Sequence, residues 1–311
     1  MDHKQWYDHS DKGNQLQKIS DIVMIGAMCP PAGGKNPVTP RFSRHFNIVA
    51  CPAFDRHVMS RIYCKIIDSH IRKEGLRGLD TAKTLKKVVD AAIDVFMFAK
   101  DSLRPTPAKS HYLFNLRDVS RVVAGIQMMK TFDHGSKQKL VRLWVHECGR
   151  VFSDRLNDEA DSRLLFEQLH ASCRDFLKED LYTCLKAAVP DRLLAEDPAY
   201  NRSPVMMQSG VKFSDLLDPA KASKGENRGY DELDAAAGDA LAKSLAESLE
   251  QLNHSERPMD LVLFDYAVVH LLRICRILKM HKGNALLIGV GGSGRQSLSF
   301  LAAHLMDQII L

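Results

Sequence analysis

The chain has 311 residues, 45% of them hydrophobic and 26% charged, with a formal net charge of +5 at pH 7. That apolar content supplies core for two domains and excludes a disordered chain, while the mild basic excess lacks the Lys/Arg runs that would point to nucleic acid or an anionic membrane surface. The seven cysteines show no CxxC pairing and read as reduced core thiols of an intracellular protein, not as a disulfide frame or a metal site.

The opening MDHKQWYDHSDK is too polar for a secretory signal. Residues 21–28, DIVMIGAM, are apolar and β-branched, and Pro30, Pro31, Gly33 and Gly34 stop the run, so the pattern predicts a buried strand entering a loop. TPRFSRHF then predicts a short helix and NIVACPAF a second strand closed by Pro52, which makes the first 54 residues the edge of an α/β sheet. From Asp55 to about Leu181 the periodicity is helical. Val58, Ile62, Ile66 and Ile67 share one face, and Leu85, Val88, Val89, Ala92, Ile93 and Phe96 share another behind Asp80 as N-cap. The Pro-broken RPTPAKSHYLF leads to Asn115, an N-cap with Asp118 three residues on, before the stripe Val119, Val122, Val123 and Ile126. Trp144, Cys148, Val151 and Phe152, then Leu164, Leu165 and Leu169, complete a helical bundle.

Residues 190–230 carry Pro190, Pro198, Pro204, Pro219 and SKGENRG, which predict an extended connection. A helix bearing Leu241, Leu245, Leu249 and Leu252 follows, then a long one from Met259 to about Met280 with Leu261, Phe264, Val268, Leu271, Cys275 and Leu278 on one side. Asp265, Arg273 and Arg276 within that apolar run argue against a membrane span. ALLIGV reads as the clearest strand in the chain and SLSFLAAHLMDQ as a helix.

Between them lies GVGGSGRQS, residues 289–297. Gly289 and Gly294 have the spacing of a loop whose backbone N–H groups, with the following helix N-terminus, face a phosphate chain. Gly291 and Gly292 add the freedom from a Cβ that a tight phosphate nest needs, and Ser293 completes the loop before Gly294. The usual Lys is replaced by Arg295 and the usual Ser/Thr by Gln296, with a hydroxyl one position later at Ser297. Arg295 keeps a positive charge, but Gln296 has no hydroxyl for magnesium, so the loop predicts binding without efficient hydrolysis. A Gly-rich turn that binds nothing is the alternative. A working site also needs a strand ending in an acidic pair after the loop, which this reading places beyond Leu311; the first thirty residues read as the back half of another such domain. HECGR at His146 resembles a zinc-protease motif, but Arg150 stands where the second His is needed, so no metal site is expected.

MCPPAGGKNPVTPRFSRHFNIVACPAF, RPTPAKSHYLFNLRDVSRVVAGI, LWVHECGRVFSDRL and LVLFDYAVVHLLRICRILKMHKGNALLIGVGGSGRQSL together resemble the motor ring of a dynein heavy chain, of the axonemal type. The resemblance implies α/β P-loop NTPase (AAA+) fragments flanking an all-α helical lid. Residues 1–54 would end the third module's large subdomain, 55–185 form its lid, 186–257 link, and 258–311 begin the fourth module. It implies a strand ending near Met28 with Asn36 in the loop after it, trans-acting arginines at Arg41 and Arg44, and a lid sensor arginine at Arg117, where Asp118 offers a competing ion pair. The implied cofactor is ATP or ADP, with or without magnesium. The implied partners are neighbouring AAA+ modules of the same chain and, through the parent protein, intermediate and light chains and microtubules in a ciliary or flagellar axoneme, with no nucleic acid and no membrane. The isolated chain would not turn over ATP; a non-enzymatic helical interaction module with a vestigial loop is the rival reading.

Overall fold

A computed structural model describes residues 4–9, 15–29, 36–75, 79–129, 137–188, 208, 210–216, 229–233, 235–254, 258–259 and 261–308. Contacts divide the chain into two units, Met1–Phe54 and Asp55–Leu311.

In the first unit β1 (Gln5–Tyr7) pairs antiparallel with β2 (Leu16–Lys18). The two strands expected at DIVMIGAM and NIVACPAF are not formed: both segments are irregular and pair with no described strand, and Ile25 and Val49 are 95% and 82% exposed. An apolar run becomes a buried strand only when neighbours complete its hydrogen-bond ladder and cover its faces, and no described strand does so here. The short helix is present as α1 (Pro40–Ser43), with Thr39 extended and Pro40 opening the first turn. The expected stop at Pro30, Pro31, Gly33 and Gly34 lies outside the described residues.

The second unit begins with α2 (Arg56–Lys73), where Asp55 accepts a hydrogen bond from the Val58 N–H at 2.7 Å. Its buried stripe is Met59, Tyr63 and Ile67; Val58, Ile62 and Ile66 face outward, contrary to the apolar pattern. Polar contacts set the rotation. The Tyr63 hydroxyl bonds the Leu116 carbonyl at 3.0 Å and Ser120 Oγ at 2.8 Å, and Ser60 Oγ donates to Asp90 at 2.6 Å.

Helix α3 (Leu79–Ser102) is central, and its whole expected stripe from Leu85 to Phe96 is buried. The side chain of Asp80, its expected cap, lies outside the described residues. Helix α4 (Leu116–Ile126) starts as expected with a capping box. Asn115 Oδ1 accepts the Arg117 N–H and Asp118 Oδ2 accepts the Asn115 N–H, both at 2.9 Å. Helices α5 (Lys137–Val151), α6 (Glu159–Ser172) and α7 (Leu181–Lys186) close the bundle. A wide π turn, Cys173–Leu177, extends α6 until Lys178 ends it in the left-handed region. Trp144, Phe152 and Phe166 anchor the core, whereas Leu164 is 40% exposed.

Part of the expected extended connection is packed. Strands β3 (Phe213–Ser214) and β4 (Asp231–Glu232) pair antiparallel, and Val211, Phe213 and Tyr230 join the bundle core; residues 189–207 and 217–228 lie outside the description. A second apolar cluster unites α8 (Ala235–Asn253), α9 (Asp265–Lys279) and α10 (Arg295–Leu305) through Leu241, Leu245, Leu271, Cys275 and Leu301. Helix α9 starts six residues later than expected. The Asn253 side chain holds the Met259 N–H at 2.7 Å and Phe264 is extended, so the acidic Asp265 opens the first turn instead. ALLIGV forms no strand with any described residue, with Leu286 and Ile288 each 86% exposed and only Leu287 packed on the cluster. Cys148, Cys173, Cys184 and Cys275 are buried as expected, but Cys29 and Cys51 are exposed. No helix among the described residues is long and apolar enough to cross a membrane.

Candidate nucleotide-binding site

The Gly loop is built by backbone conformation. Gly292 (φ 75°) and Gly294 (φ 71°) occupy the left-handed region, which costs a residue with a Cβ about 1 kcal/mol or more and glycine almost nothing. Gly294 is the N-cap of α10 and makes no side-chain cap bond, so the first-turn N–H groups keep their capacity for an anion. Residues 292–297, with Leu287, Ser299 and Phe300, line an open cavity of ≈ 840 Å³ at this helix end. Leu298, Leu301, Ala302 and Leu305 root the helix in the second cluster. Gly289 sits close behind: a Cβ there would lie 3.2 Å from Ser293 Oγ. Arg295 is folded back, its Nη2 donating to the Val290 carbonyl at 3.0 Å, so its charge braces the loop. Among the described residues no group of three His, Cys, Asp or Glu side chains could hold a metal ion.

The model of the family described as "Dynein heavy chain, ATPase lid domain" matches residues 69–162. It is flanked by a match to "P-loop containing dynein motor region" over residues 1–54 and one to "P-loop containing dynein motor region D4" over residues 259–311. Dynein axonemal heavy chain 3 of Mus musculus is 36% identical over 308 residues, 98% of this chain. Dynein axonemal heavy chain 12 of Rattus norvegicus is 38% identical over 303 residues (96%), and dynein axonemal heavy chain 1 of Mus musculus 34% over 317 (99%). The chain belongs to the dynein heavy-chain family. It spans 7% of the length of the first and third of these relatives and 9% of the second. Its two flanking regions are of the P-loop, nucleotide-binding class.

In this dynein segment the other expected site residues are carried by other elements. Arg41, on α1, and Arg44, which caps it, are exposed in the first unit, as is Asn36 before them. Arg117 is exposed in the first turn of α4. The competing ion pair with Asp118 is not made: Asp118, 1% exposed, turns inward to Arg155 and to Arg121 at 3.4 Å.

A buried polar cluster that no sequence motif announces lies in the same unit. Glu147 on α5 is fully buried and its carboxylate takes hydrogen bonds from Tyr230 Oη at 2.8 Å and from the Arg276 guanidinium of α9, Nε at 3.1 Å and Nη2 closer still. Burial works against the Arg276 charge, but the adjacent carboxylate outweighs it and holds the guanidinium pKa above its usual value. Burial, then the Glu147 charge, push the Tyr230 phenol well up. The signal was available: Glu147 falls on the Trp144–Cys148–Val151 face, where a carboxylate demands a partner.

His146 beside it is 7% exposed and donates from Nδ1 to the Val211 carbonyl at 3.0 Å. Burial, then the Arg150 charge, hold its pKa well below 6.5. The folded form therefore excludes a proton that the unfolded chain accepts below about pH 6.5, so stability falls as pH falls through that value. Urea unfolding should show this loss, up to about 1.4 kcal/mol per pH unit. His146→Asn should flatten it in part, because His270, also lowered by burial, pulls the same way. An unchanged slope in the variant would assign the effect elsewhere.

Proposed function

We propose that this chain is the part of an axonemal dynein heavy chain that carries one module's lid, residues 55–185, and the start of the next module's nucleotide site, residues 258–311. The observation that carries the reading is the left-handed Gly292–Gly294 turn running into an uncapped helix N-terminus. Backbone donors and Arg295 would hold the phosphates of ATP or ADP, and Ser297 is the nearest hydroxyl to a magnesium ion. Gln296 cannot ligate the metal as a hydroxyl would, and Arg295, one of whose donors is shared with the Val290 carbonyl, is a broader fork than the usual lysine, so the role is to retain nucleotide without multiple turnover. In the parent motor the site would bear on neighbouring AAA+ modules, with microtubules and the intermediate and light chains as partners in an axoneme. Exposed Arg41 and Arg44 suit a γ-phosphate held by an adjacent module, and exposed Arg117 suits a nucleotide at the lid.

Thermal unfolding of the 311-residue chain with Mg-ATP or Mg-ADP tests it. At a hundredfold excess over Kd the ligand should add about 2.7 kcal/mol, a rise of several degrees. Gly294→Asp should lose the rise, since it places a side chain at φ 71° and a carboxylate where the phosphate belongs. A folded parent with no shift would sink the reading and leave the helical bundle as an interaction module.

A further inference from the structure

A second cavity, of ≈ 20 Å³, lies where α5, α9 and the residues around β3 meet. Every charged group on its wall is a cation: Arg150, Lys212, Arg273 and Arg276. His146 also lines it and stays neutral, and Leu272 and Phe213 supply apolar surface. Among the described residues, two carboxylates pair with the three arginines. Glu147 is consumed by Arg276 and Tyr230. Asp154 Oδ1 is divided between Arg150 Nη2 and Arg273 Nη2, each at 3.3 Å. That leaves the Nε donors of both Arg150 and Arg273 buried and without a hydrogen-bond partner among the described residues.

Two arginines converging on one carboxylate oxygen, each with a buried donor unsatisfied, is costly unless something negative completes it. The Arg150 side chain is only 11% exposed, and burial weakens its hold on its proton. A lone water would satisfy a donor without neutralising the charge. The space suits one particle of about the size of a water molecule, which excludes a nucleotide or a phosphate group. The part-apolar wall favours an ion that gives up its hydration readily.

We propose that this cavity is a binding site for one small, weakly hydrated monovalent anion of the chloride class, held between the guanidinium groups of Arg150 and Arg273. The anion fastens α5 of the lid to α9, the helix on which α10 and its loop are seated.

The test uses the whole chain. Thermal midpoints are measured in sodium chloride and in sodium isethionate at equal ionic strength, for the parent and for Arg150→Gln. The parent's midpoint should rise saturably with chloride, by about 2 °C or more between 1 and 150 mM, and the variant should lose most of that rise. Crystals grown in bromide should give an anomalous peak beside both Nε atoms. Should the variant fail to fold, the bromide peak decides. An equal chloride effect in parent and folded variant would mean a bulk salt effect and overturn the proposal. So would a bromide structure with water alone in the cavity.

Discussion

Gly125→Ala should destabilise the helical unit by about 2–4 kcal/mol, even though alanine in a helix interior is worth about 1 kcal/mol over glycine. Gly125 lies on α4 directly against the buried carboxylate of Glu147: a Cβ there would overlap the carboxyl group and stand 2.9 Å from Cγ. A flexible surface glutamate would swing aside. This one is fixed by Arg276 and Tyr230, with no exposed surface to move into. Either the ion pair breaks or α4 shifts off α5, and both expose what the core excludes. Gly238 on α8 is the control, because a Cβ there meets nothing within 4 Å among the described residues. Gly238→Ala should leave stability unchanged or raise it by up to about 1 kcal/mol. Urea unfolding of the two variants separates propensity from packing, and a Gly125→Ala protein as stable as its parent would refute the steric argument.

Arg276→Met should cost about 3–5 kcal/mol, because it strands the Glu147 charge in the core. The loss is a penalty for breaking the pair, not a measure of what the pair contributes. Replacing all three partners by apolar groups, Glu147→Leu with Arg276→Met and Tyr230→Phe, should therefore recover most of it. Equilibrium unfolding of the single, double and triple variants reads out the coupling. If the triple variant were no more stable than Arg276→Met alone, packing of the arginine stem, and not its charge, would be responsible.

What the sequence disclosed depended on the range of the interaction. The Asn115–Asp118 capping box closes within four residues and was readable from them. The α3 stripe repeats often enough that its buried face is unambiguous. On α2 the apolar pattern misled, because a tyrosine hydroxyl reaching Leu116, 53 residues away, outranked three aliphatic side chains in setting the rotation. Strands were overestimated for a related reason: the runs at residues 21–28 and 285–290 have the composition of buried strands, but ladder partners are not encoded in the run itself. At the candidate site the glycine spacing located the phosphate loop, while the bond from Arg295 to Val290 depends on how the turn closes. Glu147 and Arg276 lie 129 residues apart, and only folding shows that each answers the other.

The same pair governs how the unit comes apart. One apolar cluster gathers around Trp144 and the other around Leu271, and two such clusters would ordinarily melt as independent foldons. Arg276 follows Cys275 of the second cluster along α9 while its charge is spent in the first. Fraying of α9 alone would abandon a carboxylate in the interior, which adds about 3–5 kcal/mol to the cost of partial opening. The pair thereby couples α9, on which α10 is seated, to the bundle, and hydrogen exchange should show α9 and α5 opening together.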